Sequence, residues 1–244
     1  MTDRVLRLLV VPGTNPGRWV ATWRERVPVP LELVPVEAAE QTAVLEAGGA
    51  DLGLVRTPVA ADGFSAIPLY DEVAVAVLPK DHPLAEESSI AAADLADEHL
   101  LVPGDDVLRW TDPPVPVNDA LAPATTAAAV ELVAAGAGVL VVPMSLARLH
   151  HRRGLTAVPV TDAPASGIAL AWVTERGDEL IEEFVGIVRG RTVNSSRGVG
   201  RPAPDAAAAP KAAASPRPSG GGRNARRGGP PRRSGPPRNR RKSR

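Results

Sequence analysis

Polar residues follow the first apolar segment of the chain, where they can bind a small molecule. Gly13, Thr14 and Asn15 follow the apolar run Val5–Val11 and Pro12, and Pro16 can begin a helix that Thr14 or Asn15 caps. A helix N-terminus presents free N–H groups and a partial positive charge, which suit a carboxylate. We therefore expect these three residues to contact an anionic ligand, and ordinary helix capping is the alternative.

A cation follows a second apolar segment. Arg56 ends the segment Asp51–Arg56, and Thr57 comes next, before a proline. A guanidinium at the edge of a sheet can bind a carboxylate through two hydrogen bonds. It can equally pair with an aspartate or glutamate on a neighbouring loop, and the sequence leaves both interpretations open.

A third set of donors lies in the middle of the chain. Pro103 and Gly104 follow the predicted strand His99–Val102, and Thr125 opens a predicted helix. With Asn118 as a weaker member, these residues are candidates to face the same ligand. For Thr125 the sequence favours helix capping over ligand binding.

Motifs for catalysis and metal binding are missing from the sequence. No G-x-S-x-G, P-loop or strand-linked G-x-G-x-x-G is present. The chain has no cysteine, which excludes thiolate nucleophiles and iron–sulfur clusters. His150 and His151 are adjacent, so they point to different faces of a helix and make a poor metal pair. We expect a protein that is not an enzyme and that uses no metal and no cofactor.

Alternating strand and helix signals position these residues. Apolar runs at Val5–Val11, Leu31–Val36 and Asp51–Arg56 are separated by helical segments, which gives the order βαβαβ. The same alternation continues through Ile67–Pro79 and on to an amphipathic helix at Asp178–Arg189. The expected fold class is therefore α/β.

The end of the chain differs sharply in composition and charge. Residues 197–244 hold fourteen of the 28 bases and one of the 28 acids, a net charge of +13 that leaves −13 on residues 1–196. They are rich in proline, glycine and alanine and lack a set of large apolar residues, so we predict disorder over 191–244. The arginines that we expect to contact DNA or RNA non-specifically are Arg223, Arg226, Arg227, Arg232, Arg233, Arg238, Arg240 and Arg241. The alternatives are a solubilising tail or one that folds back onto the acidic part.

Five segments in order resemble one known family. They read LRLLVVPGTNPGRW (6–19), QTAVLEAGGADLGLVR (41–56), IPLYDEVAVAVLPKDHPLA (67–85), IAAADLADEHLLVP (90–103) and VELVAAGAGVLVVPMSLARL (130–149). Together they resemble the effector-binding domain of LysR-type transcription regulators. The turn His82–Ala85 and the segment Val133–Val139 are the most specific parts of this resemblance.

The resemblance implies a fold like that of the type 2 periplasmic binding proteins. Two doubly wound α/β lobes would be joined by two crossover strands near Leu69–Val73 and Val160–Ile168, with a small effector held between the lobes. The domain would span 4–190, with lobe I at 4–70 and 161–190 and lobe II at 71–160. The family also implies a homodimer.

The sequence departs from the family at its beginning. Only Met1–Asp3 precede the first strand, so we expect no winged helix-turn-helix. A signal peptide and a membrane-spanning run are also missing, which predicts a cytoplasmic location. The leading hypothesis is a small-molecule effector-binding protein of LysR type that is involved in transcription regulation. The alternative is a non-specific nucleic-acid-associated protein that acts through its basic tail.

Overall fold

A computed structural model describes residues 4–59 and 62–190, which form two sheets with helices packed on them. The strands of the first lobe are β1 (Leu6–Val10), β2 (Leu31–Pro35), β3 (Leu52–Arg56), β4 (Phe64–Glu72) and β8 (Ser166–Val173). Its helices are α1 (Gly17–Arg26), α2 (Gln41–Glu46) and α5 (Glu179–Val188). The second lobe contains β5 (Ala74–Pro79), α3 (Thr126–Ala134), β6 (Leu140–Pro143), α4 (Met144–Leu149) and β7 (Leu155–Pro159).

The first sheet has the strand order β2-β1-β3-β8-β4. β1 pairs in parallel with both β2 and β3, whereas β8 runs antiparallel to β3 and to β4. As a result, the carboxyl ends of β1, β3 and β4 and the start of β8 lie along one edge. We call this the hinge edge of the first lobe, because both connections to the second lobe leave from it.

The second sheet has the order β6-β5-β7, with antiparallel pairing on both sides of β5. Parallel bridges extend it from Leu100 to Val139 and from Ile90 to Val160. The regular strand predicted over His99–Val102 is wrong in extent, because the segment forms only bridges at Leu100. Pro103 ends it after three residues, since proline has no N–H to donate to a ladder.

In the second sheet, the start of β5 and the carboxyl ends of β6 and β7 lie on the side where the two lobes connect. Ala74, the first residue of β5, pairs with Pro143, the last residue of β6, and the Ala74 carbonyl accepts from the N–H of Val160 just after β7. The carboxyl ends of β6, β7 and the Leu100 segment therefore form the hinge edge of the second lobe.

Aliphatic side chains fill the core of each lobe, with few aromatic residues. In the first lobe, fully buried Trp23 on α1 contacts fully buried Phe184 on α5, with ring centroids 5.8 Å apart. Burying a Phe side chain stabilises a fold by about 1.5–3 kcal/mol. This contact therefore fixes the two helices against the same face of the first sheet.

Two chain connections join the lobes. One passes from β4 to β5 through Val73, and the other runs from Val160 to Ser166. The predicted fold, two α/β lobes joined by two crossovers, is confirmed. The domain limits at residues 70 and 160 stay a prediction, and the predicted tail lies outside the described residues.

Within residues 4–59 and 62–190, no helix is both long enough and apolar enough to cross a membrane.

Candidate functional site

The residues predicted to contact a ligand follow strand ends on the two hinge edges. In the first lobe, Gly13–Asn15 follow β1, and Arg56 and Thr57 stand at the end of the neighbouring strand β3. In the second lobe, Pro103 and Gly104 follow the Leu100 segment. The fold thus brings each predicted set to the side of its lobe where the two lobes connect.

The turn after β1 is held by its own polar side chains. Gly13 has φ of +88°, a conformation that residues with a Cβ rarely adopt. The Thr14 hydroxyl donates to the Val11 carbonyl at 2.7 Å, and the Asn15 side-chain oxygen accepts from the Gly17 N–H at 3.0 Å. The N-cap of α1 is Pro16, which makes no side-chain capping bond, so the predicted cap by Thr14 or Asn15 is wrong; Asn15 instead forms a turn onto the Gly17 N–H.

Arg56 is the most fully engaged polar side chain on the hinge edge. The residue is only 4% exposed. Its Nη1 donates to Glu72 Oε2 at 2.8 Å and to Ser166 Oγ at 2.7 Å, and its Nη2 donates to the Pro12 carbonyl at 3.1 Å. Its Nη2 also reaches Ser145 Oγ, in the second lobe, at 3.3 Å. The ion pair that the sequence left open is thus formed, with a glutamate at the end of β4.

Three further contacts close this network. Ser145 Oγ donates to Glu72 Oε2 at 2.8 Å, so one carboxylate oxygen accepts from both Arg56 and Ser145. The side chain of buried Gln41 accepts from the Arg56 N–H at 2.9 Å and donates to the Arg56 carbonyl at 2.8 Å. Every buried side-chain nitrogen and oxygen of the described residues has a hydrogen-bond partner.

Tyr70 lies on β4 two residues before Glu72, and the charges of Glu72 and Arg56 contribute to a shift in its pKa. Its pKa is raised above the ordinary value, first because partial burial disfavours the phenolate and then because the Glu72 carboxylate repels it. The Arg56 guanidinium acts in the opposite direction. Tyr70 is therefore a spectroscopic reporter next to the Arg56–Glu72 pair.

The candidate residues of the second lobe take part in local hydrogen bonds. The Gly104 N–H donates to the Pro123 carbonyl at 2.9 Å, and the Asn118 N–H donates to the Leu100 carbonyl at 2.9 Å. The Thr125 hydroxyl accepts from the Ala128 N–H at 3.2 Å and caps α3, as the sequence favoured. Thr125 is exposed, so capping and ligand contact are compatible.

Sequence reasoning missed Glu72, Ser145, Ser166 and Gln41. Ser145 and Ser166 are distant along the chain from Arg56. Gln41, Glu72 and Ser145 stand in the segments that resemble the family, but nothing in those segments pairs them with Arg56. The available signal for Ser145 was its place in the first turn of a helix directly after a strand, the same context that singled out Thr14. No comparable signal marks Gln41, because its role depends on the pairing of α2 with the end of β3.

His82 stabilises a turn, and His150 and His151 lie at a helix end. His82 Nε2 lies 3.0 Å from Glu98 Oε1, and its Nδ1 accepts from the Leu84 N–H at 3.1 Å, which fixes the turn. His150 and His151 lie at the end of α4. No group of three or more potential metal ligands occurs in the part of the chain that the structure describes.

Comparison with known proteins identifies the family. The sequence model of the LysR substrate binding domain matches residues 4–192. The chain belongs to this family.

Relatives with curated functions are transcriptional activators. The chain is 29% identical over 202 residues to a probable hydrogen peroxide-inducible genes activator of Mycobacterium avium, covering 78% of this chain and 64% of the relative. It is 28% identical over 203 residues to the Hca operon transcriptional activator HcaR of Escherichia coli strain K12, covering 78% of this chain and 68% of the relative. The chain thus spans about two thirds of the length of these relatives.

A solved structure supports the fold. The BenM effector binding domain with its effector benzoate superposes with a TM-score of 0.61 at 22% identity, covering 76% of this chain and 90% of that one. At this level of identity the likeness concerns the fold alone.

Proposed function

We propose that this LysR-type domain binds a small organic anion between its two lobes and thereby takes part in transcription regulation in the cytoplasm. The observation that carries the proposal is the placement of donor-bearing turns from both lobes on facing hinge edges. Family membership and the benzoate complex of a structurally similar domain support it. As a binding domain it performs no chemical step of its own.

The first-lobe half of the proposed ligand site is the turn Gly13–Asn15 with Thr57 beside it. The N-terminus of α1 contributes partial positive charge at this turn, and the Arg56 guanidinium lies behind it, bonded to the Pro12 carbonyl. Both Nη atoms of Arg56 already donate to two partners each, so contact through them requires that a ligand replace one of these partners. Because the Arg56 charge is paired with Glu72, we assign Arg56 mainly to holding the turn in place through the Pro12 carbonyl.

Pro103, Gly104, Asn118 and Thr125 form the proposed second-lobe half. A ligand that contacts both halves stabilises whichever lobe arrangement brings them together, because it binds that arrangement more tightly.

Reversible binding suits this sequence better than redox sensing. One relative is named as a hydrogen peroxide-inducible activator. The 244 residues of this chain contain no cysteine, so they offer no thiol for reaction with peroxide. An organic anion that binds through hydrogen bonds and charge is consistent with the donors on the hinge edges.

Thermal unfolding with a panel of aromatic and aliphatic carboxylates, including benzoate, tests the proposal. A ligand present at about 100 times its Kd stabilises the folded state by about 2.7 kcal/mol. We expect at least one carboxylate to raise the Tm of the wild-type chain. The variant Asn15→Asp keeps the side-chain oxygen that accepts from the Gly17 N–H but adds negative charge, so it should lose that stabilisation.

Ser65→Asp is the matched control. It adds the same charge near the start of β4, at the edge opposite the hinge, and should respond to the carboxylate like the wild type. The proposal fails if no carboxylate stabilises the wild type, or if Asn15→Asp and Ser65→Asp respond alike.

We also propose that the chain forms a homodimer, as the family resemblance implies. Sedimentation equilibrium of the full chain should give twice the mass of 25.4 kDa. A monomer at micromolar concentration would contradict this.

A second candidate function, non-specific nucleic-acid binding, rests on the charge of residues 197–244, with fourteen bases and one acid. The family and the relatives favour effector binding over this alternative. Fluorescence anisotropy with a labelled DNA duplex tests this alternative. The logarithm of the association constant should decrease linearly with the logarithm of the salt concentration, with a slope of about −0.9 for each phosphate contacted. Binding that is equally strong in a chain ending at residue 196, or absent in the full chain, would exclude it.

A further inference from the structure

Both connections between the lobes enter the first lobe beside the same guanidinium. Glu72 ends β4 just before the first crossover, and Ser166 starts β8 just after the second. These two residues face each other across the sheet as a register pair. Nη1 of Arg56 donates to both side chains, at 2.8 and 2.7 Å, and therefore ties the two crossovers together where they leave the sheet.

The other guanidinium nitrogen contacts the proposed ligand turn and the second lobe. Nη2 of Arg56 donates to the carbonyl of Pro12, in the turn after β1, and to Ser145 Oγ on α4. Ser145 in turn donates to Glu72. The buried side chain of Arg56 thus contacts β4, β8, the proposed ligand turn and the second lobe.

Ser145 is also in close contact with the turn itself. A Cβ placed on Gly13 would lie 2.4 Å from Ser145 Oγ and 3.0 Å from Ser145 Cβ. The backbone at Gly13 therefore packs directly against the side chain of Ser145. Any rotation of the second lobe that moves Ser145 changes contacts with the turn, with Arg56 and with Glu72 together.

We propose that Arg56, Glu72 and Ser145 form an interlobe latch that sets the arrangement of the two lobes. Only two chain connections join the lobes covalently, so contacts near these connections restrain the motion of one lobe relative to the other. The latch favours the arrangement of the lobes in which Ser145 contacts Arg56, Glu72 and Gly13 at the same time. Arg56 contacts Pro12 and Ser145 contacts Gly13, so the conformation of the proposed ligand turn depends on whether these latch contacts are formed.

Distance measurement between the lobes tests the latch without any ligand. Because the chain has no cysteine, Glu183→Cys on α5 and Glu87→Cys in the second lobe introduce two unique, exposed sites for spin labels. Double electron–electron resonance then gives the interlobe distance distribution in the full chain. Dilution of the labelled protein with an excess of unlabelled protein removes any distance between copies.

The decisive variant is Ser145→Ala, which removes only the hydroxyl that bridges the lobes. We expect a distribution that is shifted or gains a second maximum relative to the doubly labelled parent. Glu72→Gln should change the distribution in the same direction, because the amide no longer carries the charge that holds Arg56. Circular dichroism before labelling shows that each variant is folded.

Ser65→Ala is the control, since Ser65 Oγ lies 3.0 Å from Thr174 Oγ1 within the first lobe and bridges nothing. It should leave the distribution unchanged. If Ser145→Ala and Glu72→Gln both match the parent distribution while folded, the latch is refuted. This result would leave the proposed effector function untouched, because that function is measured separately by carboxylate-dependent Tm.

Discussion

At the scale of single residues, the Arg56–Glu72 pair combines deep burial with opposite charge. The side chains are 4% and 9% exposed. Removal of one partner from a buried pair costs about 3–5 kcal/mol, since the other charge stays buried without compensation. We expect Arg56→Met to reduce the free energy of unfolding by about this amount, as measured by urea denaturation, and Arg56→Met/Glu72→Leu to recover part of the loss.

The exposed ion pair between Arg4 and Asp178 provides the comparison. Surface pairs contribute about 0.2–1 kcal/mol, so Arg4→Met should cost no more than that. Equal losses for Arg56→Met and Arg4→Met would show that burial adds nothing to the hinge pair.

Tyr70 gives a second prediction at this scale, because it is the only tyrosine in the sequence. Absorbance of the tyrosinate during alkaline titration should show a midpoint above the ordinary pKa. Glu72→Gln should lower that midpoint by removing the repelling carboxylate, and Arg56→Met should raise it by removing the attracting guanidinium. A midpoint that does not move in either variant would contradict the geometry around Glu72.

The same shift has a consequence for stability. The raised pKa means that the folded state prefers the neutral phenol. The contribution of Tyr70 to stability is therefore complete below its unfolded pKa and is lost as the pH rises through the folded value. Alkaline unfolding monitored by circular dichroism should shift to higher pH in Tyr70→Phe, which cannot ionise.

At the scale of elements, the turn after β1 depends on a glycine for two separate reasons. Gly13 has positive φ, and a Cβ there would collide with Ser145. Gly136 after α3 also has positive φ, at +74°, but nothing lies within 4 Å of its Cβ position. Gly136→Ala should therefore cost only the left-handed penalty of about 1–2 kcal/mol, and Gly13→Ala should cost more.

Thermal unfolding of both alanine variants measures this difference. In the background Ser145→Gly, the excess cost of Gly13→Ala over Gly136→Ala should shrink, because the colliding side chain is gone. An excess that persists unchanged would show that Ser145 is not its source, and would leave the backbone and the Arg56 Nη2 atom, 3.2 Å from the Cβ position.

Elements were predictable where local pattern determines them. The strands β1 and β3 and the amphipathic helix α5 follow from apolar runs and turn residues, and their ends lie within one residue of the predicted bounds. The reduction of the predicted strand His99–Val102 to bridges at Leu100 was not predictable, because its backbone partners, Pro116 and Val139, are determined by the tertiary fold. Arg56 was identified as a candidate, but Ser145 and Ser166 lie 89 and 110 residues away, so no local signal pairs them with Arg56.

At the scale of the whole molecule, residues 1–196 and residues 197–244 carry net charges of opposite sign. Residues 1–196 hold 14 bases and 27 acids, and residues 197–244 hold 14 bases and one acid. Attraction between such charges is screened beyond about 8 Å at 0.15 M salt and reaches about 30 Å at 0.01 M. We expect the full chain and a chain ending at residue 196 to share one Tm at the higher salt.

At the lower salt the full chain should be the more stable of the two, as scanning calorimetry can show. A Tm difference that is the same at both salt concentrations would point to a non-electrostatic contribution from residues 197–244. A matched chain in which the tail arginines are replaced by glutamine separates charge from length.

The position of β8 in the first sheet affects how the chain folds as it is synthesised. β8 lies between β3 and β4, yet it is translated after every strand of the second sheet. The second lobe is continuous from β5 to β7, so all of its strands have left the ribosome before the strand that joins β3 to β4 is made. Until Ser166–Val173 emerges, β3 and β4 each expose an unpaired edge, which is the condition under which strands associate wrongly. Slow translation between residues 160 and 173 should therefore reduce the yield of folded protein more than an equal delay within the second lobe.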